Sequence, residues 1–459
     1  MNFEALFRPK TMAVVGVSLT NDRHPANVIY NKNNLRYQAE VFAVNRRGGV
    51  FQGKTVYPSL GDIPRKVDLA VIVTRAELVP TIVRESIQAG ASGAVIISGG
   101  FAESGRGDLQ EELVSSAREA DFPFIGPNCL GIYSPPYIDT LFIPPERIVR
   151  PDKGRVALVS QSGGLLVDQM VKFAAEGVGL SQAVSIGNKA LVRECELLEY
   201  FARDPQTEAI AFYGEGFGRN EGREFVSLAA RCPKPVIVLK SGKTPGGTRA
   251  ISSHTASMAG DYDVFCAVLA QHGVVEAKNE FELISFCEAL SCYSKPVEGR
   301  VAIITASGGH GALAADACLS HGLSVPALPE QDQQEIRQKV SPRLHEIASF
   351  RNPVDLTGSA VDDDFMGAAE VLSTKAGIDC VLLLLLPYVP GITSDLGARM
   401  SQIYRQEDKP LIAYVPHVER YRMFIEGFEL NQIPVAHSIE GAVHMAEALR
   451  RQRSCSQRT

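Results

Sequence analysis

Two stretches of this chain share one pattern, in which an apolar run leads into a Ser-Gly-Gly turn. They read Gly154-Arg-Val-Ala-Leu-Val-Ser-Gln-Ser-Gly-Gly164 and Gly299-Arg-Val-Ala-Ile-Ile-Thr-Ala-Ser-Gly-Gly309. Chance similarity between two buried strands would match the apolar positions alone. Because the turn residues match as well, the repeat predicts two flavodoxin-like domains, each opening with a strand, a tight turn and a helix.

The same alternation of short apolar runs and amphipathic, helix-length segments extends along the whole chain. It predicts an α/β fold of parallel sheets with crossover helices. An earlier α/β unit opens with the apolar run Thr11-Met-Ala-Val-Val-Gly16. Further strands are predicted at 41–45, 69–74, 94–98 and 122–126. Proline- and charge-rich segments at 143–154 and 294–299 are typical of linkers.

Length, charge and cysteine content exclude several classes of function. The 459 residues predict about three domains, and a net charge of -6 argues against general nucleic-acid binding. Nine cysteines without a CxxC pair indicate reduced thiols and no zinc ribbon, so we expect no metal site and a cytoplasmic location. The longest apolar run, 380–387, is too short to span a bilayer and predicts a buried strand.

The turn of the second unit is the best candidate for a phosphate site. Ser160, Gln161, Ser162, Gly163 and Gly164 combine hydroxyls with small residues where a strand meets a helix. Free N–H groups at the positive end of a helix dipole suit phosphate. A close helix–sheet packing turn explains the pattern equally well. The later copy at Ser307-Gly-Gly309, next to His310, is interpreted as mainly structural.

One histidine lies in an unusual setting, Ser252-Ser-His254-Thr-Ala-Ser257, among hydroxyls and small residues. An imidazole can accept a phosphoryl group on one nitrogen while a carboxylate holds the other. Glu215, between two glycines at a predicted strand end, is the candidate carboxylate. Taken alone, a loop histidine without a role and a surface turn acid are the commoner explanations.

The motifs together resemble the NDP-forming acyl-CoA synthetase family, which includes ADP-forming acetyl-CoA synthetases and succinyl-CoA ligases. The similarity runs from Lys10 to about Arg450. Its most specific strings are the following: Ser98-Gly-Gly-Phe-Ala-Glu-Ser-Gly105, Gly126-Pro-Asn-Cys-Leu-Gly131, Ser160-Gln-Ser-Gly-Gly164, Ser185-Ile-Gly-Asn188, Ser253-His-Thr255 and Asn352-Pro-Val-Asp-Leu-Thr357.

The resemblance implies the α-subunit architecture. It assigns a Rossmann-like CoA-binding domain to residues 1–145 and a flavodoxin-like domain carrying the phosphohistidine to 154–294. A second flavodoxin-like domain is expected at 299–450, followed by a polar tail at 451–459.

The resemblance also implies residue roles. His254 matches the phosphorylated histidine, Glu215 the acid that holds its other nitrogen, and the 160–164 turn the helix start that steadies the phosphoryl group. The implied coenzyme A contacts are Gly16, Ser18, Asn45, Arg47, Thr74, Asn128 and Cys129. The two basic residues Arg46 and Arg47 taken alone would be interpreted as a solvated turn.

The implied reaction interconverts acyl-CoA, NDP and phosphate with a carboxylic acid, CoA and NTP through an acyl phosphate and a phosphohistidine. The resemblance implies that ADP/ATP or GDP/GTP with Mg is held mainly by a partner, an ATP-grasp β subunit in a hetero-oligomer. No nucleic-acid or membrane partner is expected.

The chain departs from the family pattern in four places. After Gly16-Val-Ser18 it reads Asn21-Asp-Arg-His-Pro-Ala-Asn27, Asn45-Arg-Arg47 replaces Asn-Pro-Lys, Thr74-Arg-Ala76 replaces Val-Pro-Ala, and Lys189-Ala-Leu-Val192 lacks the usual Asp. A CoA- or acyl-CoA-binding regulatory protein without catalysis therefore stays an alternative. A nicotinamide-dependent dehydrogenase is disfavoured by the missing GxGxxG.

Overall fold

The computed structural model describes residues 1–218, 220–252 and 261–452. These residues form two compact units, Met1–Glu276 and Ala277–Thr459. The first unit holds two sheets and the second holds one. Their central strands are short, apolar and almost wholly buried, which is why they form sheets covered on both faces.

The first sheet has Rossmann-type strand order. Its strands are β1 (Thr11–Val15), β2 (Glu40–Val44), β3 (Gly49–Phe51), β4 (Lys54–Tyr57), β5 (Leu69–Ile72), β6 (Gly93–Ile96) and β7 (Phe124–Ile125). The accompanying helices are α1 (Glu4–Phe7), α2 (Pro25–Arg36), α3 (Val79–Gln88) and α4 (Gly107–Glu119). The strand order is β3-β4-β2-β1-β5-β6-β7, and all strands are parallel except β3. The strand order reverses beside β1, because β2 lies on one side of it and β5 on the other, and ligands bind at such switch points.

The second sheet is parallel at its centre and carries an antiparallel hairpin at one edge. Its strands are β8 (Gly131–Ser134), β9 (Ile138–Asp139), β10 (Lys153–Ser160), β11 (Leu180–Ser185), β12 (Ala209–Gly214), β13 (Val236–Lys240) and β14 (Val275–Ala277). Its helices are α5 (Gly163–Ala175), α6 (Glu194–Arg203), α7 (Glu221–Arg231), α8 (Pro245–Ser252) and α9 (Tyr262–Gln271). The order β14-β13-β12-β10-β11-β8-β9 contains the flavodoxin arrangement.

The second unit repeats the flavodoxin strand order in a five-stranded parallel sheet, β16-β15-β17-β18-β19. Its strands are β15 (Val301–Thr305), β16 (Val354–Asp355), β17 (Cys380–Leu384), β18 (Leu411–Tyr414) and β19 (Val435–Ala436). Its helices are α10 (Glu280–Cys292), α11 (Gly308–Ser320), α12 (Glu330–Lys339), α13 (Asp362–Thr374), α14 (Leu396–Glu407), α15 (Arg422–Glu429) and α16 (Ile439–Arg451).

The fold class predicted from the repeat is confirmed. Both Ser-Gly-Gly turns lie between a strand and a helix, at β10–α5 and β15–α11. The long apolar run at 380–387 contains β17 (Cys380–Leu384), all of whose residues are buried. Within the described part of the chain, each helix is too short or too polar to cross a bilayer.

The β8–β9 hairpin is the main feature that periodicity did not predict. It follows the first sheet in sequence but pairs with β11 of the second. The segment at 143–154, expected to be a linker, is also anchored, because the Arg150 side chain bonds to the Asp139 carboxylate and to the Ile143 carbonyl. Both sheets belong to one compact unit, and the expected domain boundaries stay predictions.

Candidate functional site

The predicted phosphate turn caps a helix and is fixed by its own hydroxyls. Ser160 ends β10 fully buried, and its Oγ accepts from the Ser162 N–H at 3.2 Å and donates to the Ser162 carbonyl at 2.7 Å. Ser162 is the N-cap of α5, where its Oγ accepts from the Leu165 N–H. The turn therefore holds the first N–H groups of α5 in place, at the positive end of the helix dipole.

Gln161 connects this turn to the loop that carries Glu215. Its Oε1 accepts from the backbone N–H groups of Glu215 and Gly216, the latter at 3.1 Å. Its Nε2 donates to the Gly216 carbonyl at 2.8 Å and to the Glu194 carboxylate. One amide side chain thus holds the backbone of the Glu215 loop beside the turn.

Glu215 lies half-buried directly after β12. Its backbone carbonyl accepts from Lys240 Nζ at 2.7 Å, at the end of the neighbouring strand β13. Burial lowers the pKa of Lys240, while the Glu215 charge opposes this shift. Two adjacent strand ends therefore hold the Glu215 backbone, as expected for a positioned carboxylate at the carboxyl edge of a parallel sheet.

The turn after β7, residues 126–130, is held by hydrogen bonds to both the first and the second sheet. The Asn128 N–H donates to the Ser98 carbonyl at 2.8 Å, and the Leu130 N–H donates to Ser185 Oγ at 3.0 Å. Burial raises the pKa of the Cys129 thiol to about 12. Cys129 therefore stays protonated at neutral pH and contributes packing rather than a nucleophile.

These residues line one cavity of about 650 Å³ between the first and second sheets. Its walls include the cradle residues Gln161, Ser162, Gly163 and Gly164, the turn residues Asn128, Cys129 and Leu130, and Glu215. Ile97, Phe142 and Leu130 give the cavity an apolar side. The arrangement combines the N-terminus of a helix, a carboxylate and an apolar wall, a combination typical of small-ligand sites.

A charged cluster that includes the cavity-lining residues Lys189 and Glu221 was not predicted from the sequence. Lys189 Nζ lies 3.0 Å from Glu194 Oε1 and 3.4 Å from Glu221 Oε2, and it donates to the Gly216 carbonyl at 3.1 Å. Burial raises the pKa of Glu221, but the Gly218 N–H, Lys189 and Arg193 outweigh this effect and hold it below its usual value. Sequence separations of 5 and 32 residues give no local pattern from which to predict this cluster.

A network of hydrogen-bonded polar side chains that line the cavity was also not predicted. Asn188 Oδ1 accepts from Asn128 Nδ2 at 3.2 Å, and Asn188 Nδ2 donates to the Glu103 carboxylate and to Gln110 Oε1. Glu103 also accepts from the Gly100 N–H at 2.6 Å. Both Glu103 and Asn188 fall inside motif strings quoted above, so their position in those strings was the available signal.

The predicted coenzyme A residues of the first turn lie at the carboxyl edge of the first sheet. Gly16 has a φ of +105°, and a Cβ there would lie 2.1 Å from the Val73 carbonyl oxygen, so only glycine fits. Ser18 is held by Asn27, whose Oδ1 accepts from the Ser18 N–H at 2.7 Å. Ser18 Oγ accepts from the Asn21 N–H at 3.0 Å, which shapes the divergent loop.

Asn45 and Thr74 belong to the same edge. Asn45 Nδ2 donates to the Val17 carbonyl at 2.8 Å, and the Thr74 N–H donates to Ser98 Oγ at 3.1 Å. Arg47 is exposed. Gly16, Ser18, Asn45, Arg47 and Thr74 do not line the cavity described above, whereas Asn128 and Cys129 do. The predicted coenzyme A set is thus divided between the sheet edge and the cavity.

The predicted phosphohistidine, His254, lies outside the described residues, which resume at 261. The chain leading towards it is described: α8 runs over Pro245–Ser252 and follows β13. β13 pairs with β12, the strand that ends at Gly214, next to Glu215. The sequence therefore leaves the sheet next to the loop of the candidate carboxylate.

Three α/β sheets, with a cavity lined by residues of the first two, define a protein of the ligand-binding α/β class. Family models match most of it: a CoA binding domain at residues 10–135, a succinyl-CoA ligase like flavodoxin domain at 153–290 and a ligase-CoA domain at 301–388. Together with the relatives below, these matches show that the chain belongs to the NDP-forming acyl-CoA synthetase family.

Curated relatives extend the likeness. The chain is 33% identical to acetate–CoA ligase [ADP-forming] I subunit alpha of Pyrococcus furiosus over 98% of this chain and 97% of that subunit. It is 39% identical to acetate–CoA ligase [ADP-forming] I of Archaeoglobus fulgidus over 84% of this chain. That match spans about half (55%) of the longer Archaeoglobus protein.

A solved structure resembles the whole chain. Acetyl-coenzyme A synthetase 1 of Ca. Korarchaeum cryptofilum, determined with phosphate and ADP, aligns with a TM-score of 0.86 and 30% identity. The alignment covers 100% of this chain and 97% of that one.

Proposed function

We propose that this chain is the α subunit of an ADP- or GDP-dependent acyl-CoA synthetase, and that His254 carries the phosphoryl group between the acyl and nucleotide sites. The supporting observation is the cavity lined jointly by the α5 cradle, Glu215 and the Asn128–Cys129 turn. The reaction class is inferred from family membership, and the cavity is the proposed site of the reaction.

The proposed chemistry uses each part of the cavity in turn. Phosphate attacks the thioester carbonyl, the C–S bond breaks, and CoA leaves as a thiolate that takes up a proton. The acyl phosphate then gives its phosphoryl group to an imidazole nitrogen of His254 and leaves as the carboxylate. NDP finally accepts the group and becomes NTP. Dividing the transfer into covalent steps lowers each barrier.

The chain's own residues would orient and stabilise these steps. N–H groups at the start of α5 would meet the charge on the moving phosphoryl oxygens. Glu215 would accept a hydrogen bond from the other imidazole nitrogen and so stabilise the phosphorylated ring. Coenzyme A would lie along the edge of the first sheet at Gly16, Ser18, Asn45, Arg47 and Thr74, with its thiol end near Asn128 and Cys129.

The nucleotide and Mg would be held mainly by an ATP-grasp β subunit in a hetero-oligomer. One observation supports a separate partner: the Pyrococcus relative that aligns end to end is named an alpha subunit. The acid, CoA and phosphate are the proposed small-molecule ligands, and the proposed location is cytoplasmic.

A labelling experiment tests the proposal. The chain is incubated with γ-labelled ATP, Mg and a candidate ATP-grasp protein, and the label is tested for acid lability and base stability. Wild type and His310→Ala, which alters the equivalent turn of the third sheet, are expected to be labelled, whereas His254→Ala is not. Coenzyme A binding with no label on wild type would support the regulatory alternative instead.

The variant Glu215→Gln provides a second test in the same labelling experiment. Loss of the carboxylate is expected to slow phosphorylation by about 100-fold or more, in the range found for positioned acid–base groups. The isosteric amide leaves the backbone bonds to Gln161 and Lys240 possible, so a folded variant with wild-type labelling rate would remove Glu215 from the mechanism.

A further inference from the structure

A cluster of metal-ligating side chains lies in the second unit, outside the site described above. His321 follows the end of α11, and His444 and Glu447 lie three residues apart on α16. One donor atom from each of the three lies within 4.8 Å of the other two. Glu447 is 7% exposed, and both histidines are half-buried.

The spacing of the donor atoms approaches that of a tetrahedral site. Glu447 Oε2 lies 2.9 Å from His321 Nδ1 and 3.4 Å from His444 Nδ1. A tetrahedral ion with bonds of about 2.0–2.2 Å needs donors about 3.3–3.6 Å apart. The two rings are almost perpendicular, with centroids 4.6 Å apart, so both present an edge to the same carboxylate oxygen. Small side-chain rotations would place an ion between the three donors.

Neighbouring groups hold the carboxylate in this orientation. Arg451 Nε lies 3.6 Å from the other oxygen, Oε1, and its guanidinium lies over the Phe286 ring. Phe286 also packs edge-on against His444. With Oε1 facing the guanidinium, Oε2 faces the imidazoles. Such outer partners orient the ligands in metal sites and contribute to affinity.

The cluster lies at the end of the sheet opposite the Ser307-Gly-Gly turn. α11 begins beside the carboxyl end of β15 and has run its 13 residues before it reaches His321. Ligand crevices of parallel sheets lie at the carboxyl ends of the strands. An ion at the opposite end would connect α11 to α16 and stabilise the unit rather than take part in phosphoryl transfer.

We propose that His321, His444 and Glu447 bind one divalent first-row transition-metal ion, with Zn²⁺ the best match, as a structural clamp between α11 and α16. Two imidazoles and one carboxylate suit Zn²⁺, whereas Mg²⁺ and Ca²⁺ prefer oxygen ligands alone. Three protein ligands leave a fourth position for water, and the His321 side chain is 30% exposed, which gives the ion a route in.

Zinc binding to the full chain tests the proposal. Protein stripped with EDTA is titrated with Zn²⁺ by calorimetry, and bound metal is measured after desalting. One ion per chain is expected. His444→Ala and Glu447→Gln should each weaken binding by more than about 100-fold, since losing an outer partner alone costs about 10–100-fold. Zn²⁺ should raise the unfolding midpoint of wild type only.

A second histidine pair provides the matched control. His417 and His437 have ring centroids 4.4 Å apart, and the double variant His417→Ala, His437→Ala should bind Zn²⁺ as wild type does. Unchanged affinity in His444→Ala, loss of binding in the control, or no stoichiometric binding to wild type would each overturn the proposal. The cluster would then be two histidines hydrogen-bonded to one carboxylate.

Cobalt provides a readout that does not depend on variants. If the substituted chains fail to fold, Co²⁺ added to wild type should give the intense visible absorption of a four-coordinate site, and Zn²⁺ should displace it. A spectrum typical of hexahydrated Co²⁺ would contradict the proposal. Labelling of His254 should be unaffected by EDTA treatment once Mg is restored, because the two sites are independent.

Discussion

Adjacent glycines at the start of α5 show how much single positions matter in the cradle. A Cβ on Gly163 would lie 3.2 Å from the Leu130 Cβ and 3.5 Å from Ser185 Oγ, whereas a Cβ on Gly164 would have no neighbour within 4 Å. Leu130 belongs to the turn after β7, so Gly163 allows the first and second sheets to approach at the cavity. Gly164 has no such constraint.

This contrast gives a matched pair of variants. Gly163→Ala is expected to push the Leu130 turn from the cradle and to slow phosphorylation by at least about 10-fold, since small displacements of reacting groups are costly. Gly164→Ala has no such clash, so it should slow phosphorylation less than Gly163→Ala does and stabilise α5 by up to about 1 kcal/mol, because alanine favours helix over glycine. Initial labelling rates and urea unfolding measure both effects. Equal rates in the two variants would contradict the role of Gly163.

The Lys189 ammonium group neutralises the two carboxylates of the charged cluster, those of Glu194 and Glu221. Lys189→Gln removes the cation between Glu194 and Glu221, leaving two neighbouring carboxylates, and should cost about 1–3 kcal/mol at neutral pH. The pKa of Glu221 is lowered in the folded chain, so its stabilisation is present above its unfolded pKa and is lost as pH falls through the folded value. The difference between wild type and variant should therefore shrink on acidification.

Urea unfolding from neutral to acidic pH checks this dependence. The control is Lys172→Gln, which breaks an exposed i,i+4 pair with Asp168 and should change stability by less than about 0.5 kcal/mol. A Lys189 variant with the same small, pH-independent effect would show that the cluster is a solvated surface pair.

At the scale of elements, the β8–β9 hairpin fastens the first sheet to the second. Asp139 in β9 is fully buried and lies 2.7 Å from Lys32 Nζ on α2, and it also pairs with Arg150. Burial lowers the pKa of Lys32 to about 8, with the Asp139 charge opposing the shift. Asn33 exchanges two further bonds with the Asp139 backbone. A helix of one sheet is thus held by a strand of the other.

The substitution Asp139→Asn tests this connection. The isosteric change leaves the buried Lys32 and the partly buried Arg150 without their shared carboxylate and should lower the free energy of unfolding by about 3–5 kcal/mol. Glu40→Gln, which breaks the exposed pair with Arg65, should cost less than about 0.5 kcal/mol. Chemical denaturation measures both changes. If the Asp139→Asn variant loses no more stability than the Glu40→Gln control, the hairpin does not depend on this carboxylate.

At the scale of the whole molecule, the features that could be predicted from the sequence are those that depend on a local sequence pattern. Strand alternation and the repeated Ser-Gly-Gly turn predicted the parallel sheets, because burial on both faces demands apolar runs and tight turns demand small residues. The β8–β9 hairpin was missed because its strands of four and two residues carry little periodicity and pair with a distant strand.

The site shows the same division. That the 160–164 turn and Glu215 lie close together could be predicted, because strand ends of parallel sheets converge, and both line the cavity. Lys189 and Glu221 could not, because their contact arises from the fold and not from spacing along the chain. The roles of His254 and of the first-turn residues stay predictions that rest on family membership.

The central claim is that the cavity serves a phosphoryl group carried by His254. The most direct measurement is mass spectrometry of peptides from the chain, digested under alkaline conditions after incubation with ATP, Mg and the ATP-grasp partner. We predict one phosphoryl group, located on the peptide containing His254 and diminished by Glu215→Gln. Phosphorylation elsewhere, or an unmodified His254 peptide from a preparation that turns over acyl-CoA, would contradict the account.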